Sequence, residues 1–293
     1  MPMNYRPAFV LILTLLAAGC EQSQPAVGTL RVDPVQFDLA YPHYQELAID
    51  LDMQQPLPDA ASPLVMVHLL DASGEVVRTF DHELPRGWTP GDRQRYAINL
   101  YQSALAPPLE PGTYTLTTGI YDPQIGRFEL TADGEQVHEG EYAVATVEAA
   151  QGSGDSPKFF FSPSWLATEV GTDVQTLGRR WLRGDGTLKL RGVGSPGQVR
   201  MHLRIEQTDE AVEDLVLSEG FEEPQLDVTT TCSEATWSFV GFGTHILELP
   251  VGPDSLGDDG ECELSLTPHY QVVTRRNLSS RSLALDLLAW RAD

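Results

Sequence analysis

The chain has 293 residues, of which 41% are hydrophobic and 21% are charged, as is typical of folded globular proteins. Acidic residues outnumber basic ones by 42 to 19, so the formal net charge is -23. A surface this acidic repels nucleic acid and anionic lipid headgroups, and we therefore expect no nucleic-acid partner.

The N-terminal segment has the composition of an export signal. A positive residue, Arg6, precedes the apolar run Ala8–Ala18, and small residues lead to Cys20. The run is too short to span a bilayer, whose core needs about 20 apolar residues. The segment resembles the lipobox signal of bacterial lipoproteins. This resemblance implies removal of a signal peptide at residues 1–19 and acylation of Cys20.

Acylation would attach the protein to the bacterial cell envelope through its N-terminus. No second long apolar stretch follows, so we expect the lipid anchor to be the membrane contact. Glu21 stands where Asp is the usual signal for retention at the inner membrane, which favours the outer membrane in a Gram-negative host. Residues 20–29 are polar and interrupted by Pro25, as in a tether.

Roughly 270 residues remain, enough for one large or two ordinary domains. Small residues, Gly and Ser at 149–157 interrupt the apolar alternation, and we predict a linker there. The two predicted domains then span residues 30–148 and 158–293.

The first domain has the period of β-strands. Apolar and polar residues alternate over Leu47–Met53, and Leu64–Leu70 is a continuous apolar run followed by the turn Asp71–Gly74. Pro111–Tyr114 places a tyrosine at the start of a strand, which resembles the tyrosine corner of immunoglobulin-like sandwiches. We predict an immunoglobulin-like β-sandwich.

The second domain has the same texture. Thr187–Arg191 and Val199–Glu206 alternate apolar and basic residues, and further short strands are predicted up to Leu283–Ala289. Regular short strands indicate a sandwich of the jelly-roll type. The predicted fold class is therefore all-β, with two tandem β-sandwich domains.

A family resemblance rests on short motifs spread over most of residues 30–293. These are Pro111–Asp122, Ser164-Trp165-Leu166, Glu169, Arg180-Trp181 and Gly241-Phe242-Gly243. Together they resemble the extracytoplasmic module pair of some bacterial membrane glycosyltransferases, in which an immunoglobulin-like module precedes a galactose-binding-like jelly roll. The membrane-spanning catalytic part of those enzymes is absent from this sequence, so the resemblance implies a fold and no transferase activity.

Two cysteines remain when Cys20 is acylated. Export leads to an oxidising compartment, where Cys232 and Cys262 would form a disulfide. Two buried free thiols are the alternative.

Basic residues converge if the strands Thr187–Arg191 and Val199–Glu206 pair as a hairpin. The shared face would then carry the following side chains: Lys189, Arg191, Arg200, His202 and Arg204. Arginine forks on such a face could hold the carboxylates or phosphates of an envelope polymer. The alternative is a solvated face paired with neighbouring acids.

Two tryptophans flanked by turn residues, Trp165 and Trp181, are candidate stacking platforms for sugar rings. Their alternative role is packing in the core. Asp254, Asp258, Asp259 and Glu261 share a Gly-rich loop and are a weak calcium candidate, because their spacing is not that of an EF-hand.

No known catalytic motif occurs in the sequence together with the secondary structure and spacing that its chemistry requires. Gly192–Gly197 has the letters of a dinucleotide-binding loop, but a strand follows it where a helix is needed, and Val193 spoils the nucleophile-elbow pattern around Ser195. We expect no cofactor and no enzyme. The predicted function is envelope binding or scaffolding, of a saccharide or an assembly partner. The alternatives are a structural interaction subunit and a hydrolase without a motif.

Overall fold

The computed structural model describes residues 25–59, 61–151, 156–170, 178–276 and 278–293. Cys20, the predicted signal peptide and the centre of the predicted linker lie outside these residues. The described chain is built from β-strands, and its helical element is the single 3₁₀ turn Pro253–Ser255. Within these residues, no helix has the length and apolar character needed to cross a membrane. The all-β prediction is confirmed.

The described part of the first half contains twelve strands. They are β1 (Gly28–Asp33), β2 (Gln36–Tyr41), β3 (Tyr44–Met53), β4 (Leu64–Leu70), β5 (Val76–Thr79), β6 (His82–Glu83), β7 (Arg93–Tyr101), β8 (Gly112–Asp122), β9 (Gly126–Phe128), β10 (Leu130–Ala132), β11 (Glu135–His138) and β12 (Glu141–Gln151).

These strands form two facing sheets. Sheet A has the order β10-β1-β3-β7, and sheet B has the order β11-β12-β8-β4-β5, with β2, β6 and β9 paired at its sides. The alternation predicted for Leu47–Met53 points Leu47, Ile49 and Leu51 into a core shared with Val65 and Val67 of sheet B. This apolar burial is the main force holding the two sheets together.

Two local predictions in this half are confirmed. The turn after β4 leads into β5, and Gly74 has a φ of 84°, which glycine adopts without the strain of a side chain. Tyr114 at the start of β8 donates its hydroxyl hydrogen to the carbonyl oxygen of Glu110 at 2.8 Å. This hydrogen bond is the tyrosine corner, which fixes the path of the chain as it enters the strand.

The described residues of the second half form a further twelve strands. They are β13 (Lys158–Phe161), β14 (Arg180–Leu182), β15 (Gly186–Arg191), β16 (Gly197–Ile205), β17 (Glu213–Leu217), β18 (Gln225–Thr230), β19 (Thr236–Val240), β20 (Gly243–Val251), β21 (Glu261–Pro268), β22 (Tyr270–Thr274), β23 (Ser280–Arg281) and β24 (Leu283–Ala292).

Three antiparallel sheets result. Sheet C has the order β14-β24-β16-β20, sheet D has the order β13-β15-β21-β18-β19, and sheet E has the order β17-β22-β23. Sheets C and D face each other across one core, in which Met201 and Leu203 of sheet C lie with Leu188 and Leu190 of sheet D. The second half is therefore also a β-sandwich.

The predicted disulfide is confirmed. Cys232 and Cys262 are bonded, with 5.3 Å between their Cα atoms. Cys262 lies in β21, and Cys232 follows β18, the neighbouring strand of sheet D. The bond closes a loop with a sequence separation of 30 and links two segments that already pair.

The predicted hairpin of Thr187–Arg191 with Val199–Glu206 is wrong. β15 pairs with β13 and β21, whereas β16 pairs with β20 and β24 in the opposite sheet. The connecting loop buries Val193 in the core as the chain crosses from sheet D to sheet C. Apolar alternation alone does not distinguish the two arrangements, because both strands bury alternate residues in either case.

The two sandwiches meet through backbone and side-chain contacts. The amide of Trp290 in β24 donates to the carbonyl of Pro42, and the amide of Ala104 donates to the carbonyl of Leu288. Ser156, at the end of the predicted linker, is buried and lies 2.7 Å from Nε2 of His43. These contacts fix one end of sheet A against the outer face of sheet C.

Candidate functional site

The predicted basic face is divided between two sheets. Lys189 and Arg191 lie on sheet D, where both contact the carboxylate of Glu261, and Nζ of Lys189 also lies 3.2 Å from Glu263. The hydrogen bond to Glu261 raises the pKa of Lys189. These two cations are therefore neutralised by acids on the neighbouring strand.

The other half of the predicted face lies on sheet C and is also paired with acids. Arg200 forms an ion pair with Glu248 across β16 and β20. Arg204 contacts Asp286 at 2.6 Å and Glu206 at 2.8 Å. On both sheets the basic residues are paired with neighbouring acids, as in the alternative interpretation of the sequence. Arg191, Arg200 and Arg204 are therefore already engaged and are not free to hold an acidic polymer.

The prediction that Trp165 and Trp181 are exposed stacking platforms is wrong, because both side chains are buried. Trp165 and Trp181 are 6% and 8% exposed. Trp165 donates from Nε1 to the carbonyl of Thr187, and Trp181 donates from Nε1 to Glu169. The guanidinium of Arg281 covers the Trp181 ring at 4.8 Å from its centre. The Trp165 ring is packed in the core and the Trp181 ring is covered by a cation, so neither is an exposed platform for a sugar.

The calcium candidate is not assembled. Glu261 is held by Lys189 and Arg191, and Oδ1 of Asp259 accepts a hydrogen bond from the Glu261 amide at 3.1 Å. Asp254 and Asp258 are exposed in the same loop. Over the described ranges, no three His, Cys, Asp or Glu side chains are grouped in a way that would hold a metal ion.

A cleft of about 490 Å³ lies where the two sandwiches meet, and we call it the junction cleft. This volume is within the usual range for ligand sites, and domain junctions are a common location for them. One wall follows the end of β5 and the start of β6, a second follows β7, and the third is β16 of sheet C. The lining residues are Thr79, Phe80, Asp81, His82, Ala97, Ile98, Asn99, Tyr101, Arg200 and His202.

Aromatic rings from both sandwiches form a strip in the junction cleft. The rings of Phe80 and Tyr101 meet edge to face with centres 5.4 Å apart, and the rings of Tyr101 and His202 meet in the same way at 6.3 Å. Edge-to-face packing of this kind holds rings in fixed positions. The strip therefore gives the cleft an apolar wall that crosses from one sandwich to the other.

Neutral polar groups stand beside the strip without partners in the protein. In the described part of the chain, the hydroxyls of Thr79 and Tyr101 and the amide of Asn99 make no side-chain hydrogen bond. None of them is among the buried polar atoms left unsatisfied, so all remain accessible. These groups are available to donate to and accept from a ligand.

The two histidines of the cleft are neutral. Burial lowers the pKa of His82, whose Nδ1 donates to the carbonyl of Phe80 at 3.0 Å while Nε2 accepts from the Tyr96 hydroxyl at 2.9 Å. Burial and the nearby Arg200 charge lower the pKa of His202 to about 4. Nε2 of His202 accepts a hydrogen bond from Nε of Arg200 at 3.4 Å, which puts the His202 proton on Nδ1.

A buried ionic network supports the wall that carries Asp81. His68 lies between Asp81 and Glu141, at 3.3 Å from each carboxylate. Although burial disfavours the charged ring, hydrogen bonds to the two carboxylates raise the pKa of His68 to about 9. Glu141 also accepts from the Thr117 hydroxyl at 2.6 Å, and its pKa is lowered to about 2 against the effect of burial. The network fixes Asp81 from behind the cleft.

Sequence patterns located one part of this site and missed the rest. Arg200 and His202 were candidates through the basic face, whereas Thr79–His82 and Ala97–Tyr101 gave no signal. The three segments are separated by up to 123 positions between Thr79 and His202 and meet only because the sandwiches are docked. An Asp-His pair that begins two positions after the end of β5, at Asp81-His82, is the local feature that would have drawn attention to the cleft.

Comparisons with known proteins do not identify the chain. No protein family model matches it, and no curated protein sequence is significantly similar to it. An alkylpurine DNA glycosylase, AlkC, from Pseudomonas fluorescens is 14% identical over 43% of this chain and 31% of its own, with a TM-score of 0.24. A β-glucosidase from Listeria innocua is 14% identical over 38% of this chain and 17% of its own, with a TM-score of 0.22.

A third solved structure overlaps more of the chain. The β-glucuronidase of Bacteroides uniformis is 8% identical over 91% of this chain and 30% of its own, with a TM-score of 0.24. This chain spans less than a third of each of the three proteins. Likeness this weak carries no argument about function.

Proposed function

We propose that the protein is a lipid-anchored cell-envelope protein that binds a saccharide in the junction cleft. The observation that carries the proposal is the aromatic strip of Phe80, Tyr101 and His202, flanked by unpartnered neutral polar groups. A sugar ring has apolar C–H faces and a rim of hydroxyls, and the cleft has a matching apolar wall and matching hydrogen-bonding groups.

Binding is favoured over hydrolysis because the cleft holds too few carboxylates. Glycoside hydrolysis normally uses two carboxylic acids on either side of the bond that is cleaved. Among the described residues, Asp81 is the one acidic residue that lines the junction cleft, and it is held in an ion pair with His68. With one engaged carboxylate, the described lining lacks the second carboxylic acid that glycoside hydrolysis normally uses.

Binding is tested with full-length protein in detergent micelles on an array of envelope glycans. We expect the wild type to bind a subset of glycans, and Asn99→Ala to lose at least about tenfold in affinity for them. The matched control is Gln136→Ala, which removes an amide from exposed strand β11 in the first sandwich. A blank array, or equal loss in both variants, would contradict the proposal.

The envelope location rests on Cys20 and is tested separately. Cells labelled with radioactive palmitate should incorporate label into the wild type and not into Cys20→Ser. Density fractionation of the membranes should then recover the wild type with outer-membrane markers. Label in Cys20→Ser would reject acylation at this residue, and recovery with inner-membrane markers would reject the outer-membrane placement.

A second candidate function is that of a protein-interaction subunit. It is favoured by exposed apolar side chains at the end of β19, in the following turn and in β20. Val240, Phe242 and Ile246 are 52%, 44% and 48% exposed. Side chains of this size at one corner of a sandwich are typical of protein contacts. If this corner binds a partner, Phe242→Ser should abolish a cross-link to that partner in cells and leave glycan binding unchanged.

A further inference from the structure

We infer that the junction cleft selects an uncharged saccharide and rejects sugars that carry carboxylate or phosphate groups. The inference rests on the proposed function and names the class of ligand for the same site. It is based on the charges of the lining side chains. The ionised side chains, Asp81 and Arg200, already form ion pairs within the protein, and the polar side chains without a partner are neutral.

The negative charge of the cleft is fixed in place. Oδ1 of Asp81 accepts from the Val67 amide at 3.0 Å and lies 3.3 Å from Nε2 of His68, while Oδ2 accepts from the Tyr121 hydroxyl at 3.2 Å. Against the effect of burial, the hydrogen bond to His68 keeps the pKa of Asp81 below its usual value. Asp81 therefore remains an anion in the wall, matched by the His68 cation behind it, and offers no favourable contact to a second anion that enters the cleft.

The cation of the cleft, Arg200, forms an ion pair with an acid on the neighbouring strand β20. Nη1 of Arg200 pairs with Glu248, its cross-strand neighbour on β20, and Nε of Arg200 donates to His202. The guanidinium also lies over the ring of Tyr44, 5.9 Å from its centre. An acidic sugar would have to compete with Glu248 for this cation, so the ion pair it forms is offset by the one it weakens.

The remaining polar groups suit hydroxyls. Thr79 and Tyr101 offer hydroxyls that donate and accept, Asn99 offers an amide that does both, and neutral His202 offers the donor Nδ1–H. Next to the aromatic strip, an unpaired carboxylate loses more hydration free energy than a hydroxyl does. The cleft can therefore form hydrogen bonds with the hydroxyls of a neutral sugar, whereas the carboxylate of an acidic sugar would have no free cationic partner there.

The test compares matched ligands on the full-length protein. Oligosaccharides of glucose, galactose and mannose are printed beside those of the corresponding uronic acids at equal density. We expect the best neutral ligand to bind at least about tenfold more tightly than its uronic acid counterpart. Equal or tighter binding of the uronic acids would overturn the inference and leave the proposed function intact. If neither set binds, the proposed function fails and the inference fails with it.

A charge variant gives a second, independent readout. Glu248→Gln removes the partner of Arg200 from an exposed position, so a cation becomes available in the cleft. We expect its affinity for the uronic acid series to rise about threefold to tenfold while its affinity for the neutral series stays within twofold. The control is Glu263→Gln, which removes an acid paired with Lys189 on sheet D, away from the cleft. No gain in Glu248→Gln, or the same gain in the control, would contradict the assignment.

Discussion

The hydroxyl of Tyr44 in the first sandwich donates a hydrogen bond of 2.8 Å to Oε1 of Gln198 in the second. Tyr44 is 3% exposed, and its ring packs with Leu287 and Ala289 on the outer face of sheet C. The guanidinium of Arg291 lies 5.2 Å from the centre of the same ring. This residue joins the two domains at a point directly beside the junction cleft, so the cleft depends on the docking that Tyr44 helps to maintain.

Removing this link should cost stability. Tyr44→Phe keeps the ring and deletes the hydroxyl, and we expect a loss of about 1 kcal/mol in the free energy of unfolding in urea. In a double-mutant cycle with Gln198→Ala, the coupling energy should be about 1 kcal/mol, because each single change already removes the hydrogen bond. Additive effects of the two changes would show that the hydrogen bond contributes nothing to docking.

The Tyr101 hydroxyl should act in binding and not in folding. It lines the cleft and has no hydrogen-bond partner in the described residues, so Tyr101→Phe should leave the unfolding free energy within about 0.5 kcal/mol of wild type. Calorimetric titration with the best array glycan should give a threefold to tenfold weaker affinity, about 1 kcal/mol for one neutral hydrogen bond. Tyr41→Phe, whose hydroxyl lies 3.3 Å from the carbonyl of Ala104, is the matched control and should bind as wild type. Unchanged binding by Tyr101→Phe would remove this hydroxyl from the site.

The ionic network behind Asp81 should make stability depend on pH. The pKa of His68 is raised from 6.5 to about 9, so its contribution to folding is complete below pH 6.5 and is lost as the pH rises through 9. Glu141 acts in the opposite direction: its contribution is complete above about pH 4.5 and is lost as the pH falls toward 2. We expect the unfolding free energy to fall by about 2 to 3 kcal/mol between pH 6.5 and 9.5.

A variant separates this effect from the titration of other groups. His68→Gln should lack the decline above pH 6.5, whereas His138→Gln, at an exposed position on β11, should retain it. Urea titrations at a series of pH values measure both. A wild-type profile that is flat between pH 6.5 and 9.5 would mean that His68 is not held as a cation.

The disulfide should contribute to stability in the second sandwich. Closing a loop with a sequence separation of 30 constrains the unfolded chain by about 3 to 4 kcal/mol in the chain-entropy model. The double variant Cys232→Ala, Cys262→Ala should therefore unfold at a lower temperature than the wild type. Mass spectrometry of the unreduced wild type should find neither thiol open to alkylation. Two alkylated thiols would rule out the bond in the native protein.

The sequence was informative wherever local chemistry decides the structure. Alternation over Leu47–Met53 predicted a half-buried strand, and Pro111–Tyr114 predicted the tyrosine corner, because period-2 burial and a four-residue hydrogen bond are both local. The pair Cys232–Cys262 followed from counting cysteines in an exported chain.

Long-range pairing was not encoded in these patterns. β15 and β16 alternate in the same way whether they form a hairpin or belong to facing sheets, so the basic face was assigned wrongly. Turn residues near Trp165 and Trp181 suggested exposure, but Trp181 lies in β14, and both rings are buried by partners such as Thr187 and Arg281. The junction cleft depends on how two folded domains dock, which no periodicity within either domain reports.

The most direct test of saccharide binding in the junction cleft is a crystal structure of the protein with the neutral oligosaccharide that binds best on the array. We expect sugar density in the junction cleft, with hydroxyls within hydrogen-bond distance of Asn99 and of Nδ1 of His202, and a ring face against the strip of Phe80 and Tyr101. Sugar bound elsewhere on the second sandwich, with the cleft filled only by water, would contradict it.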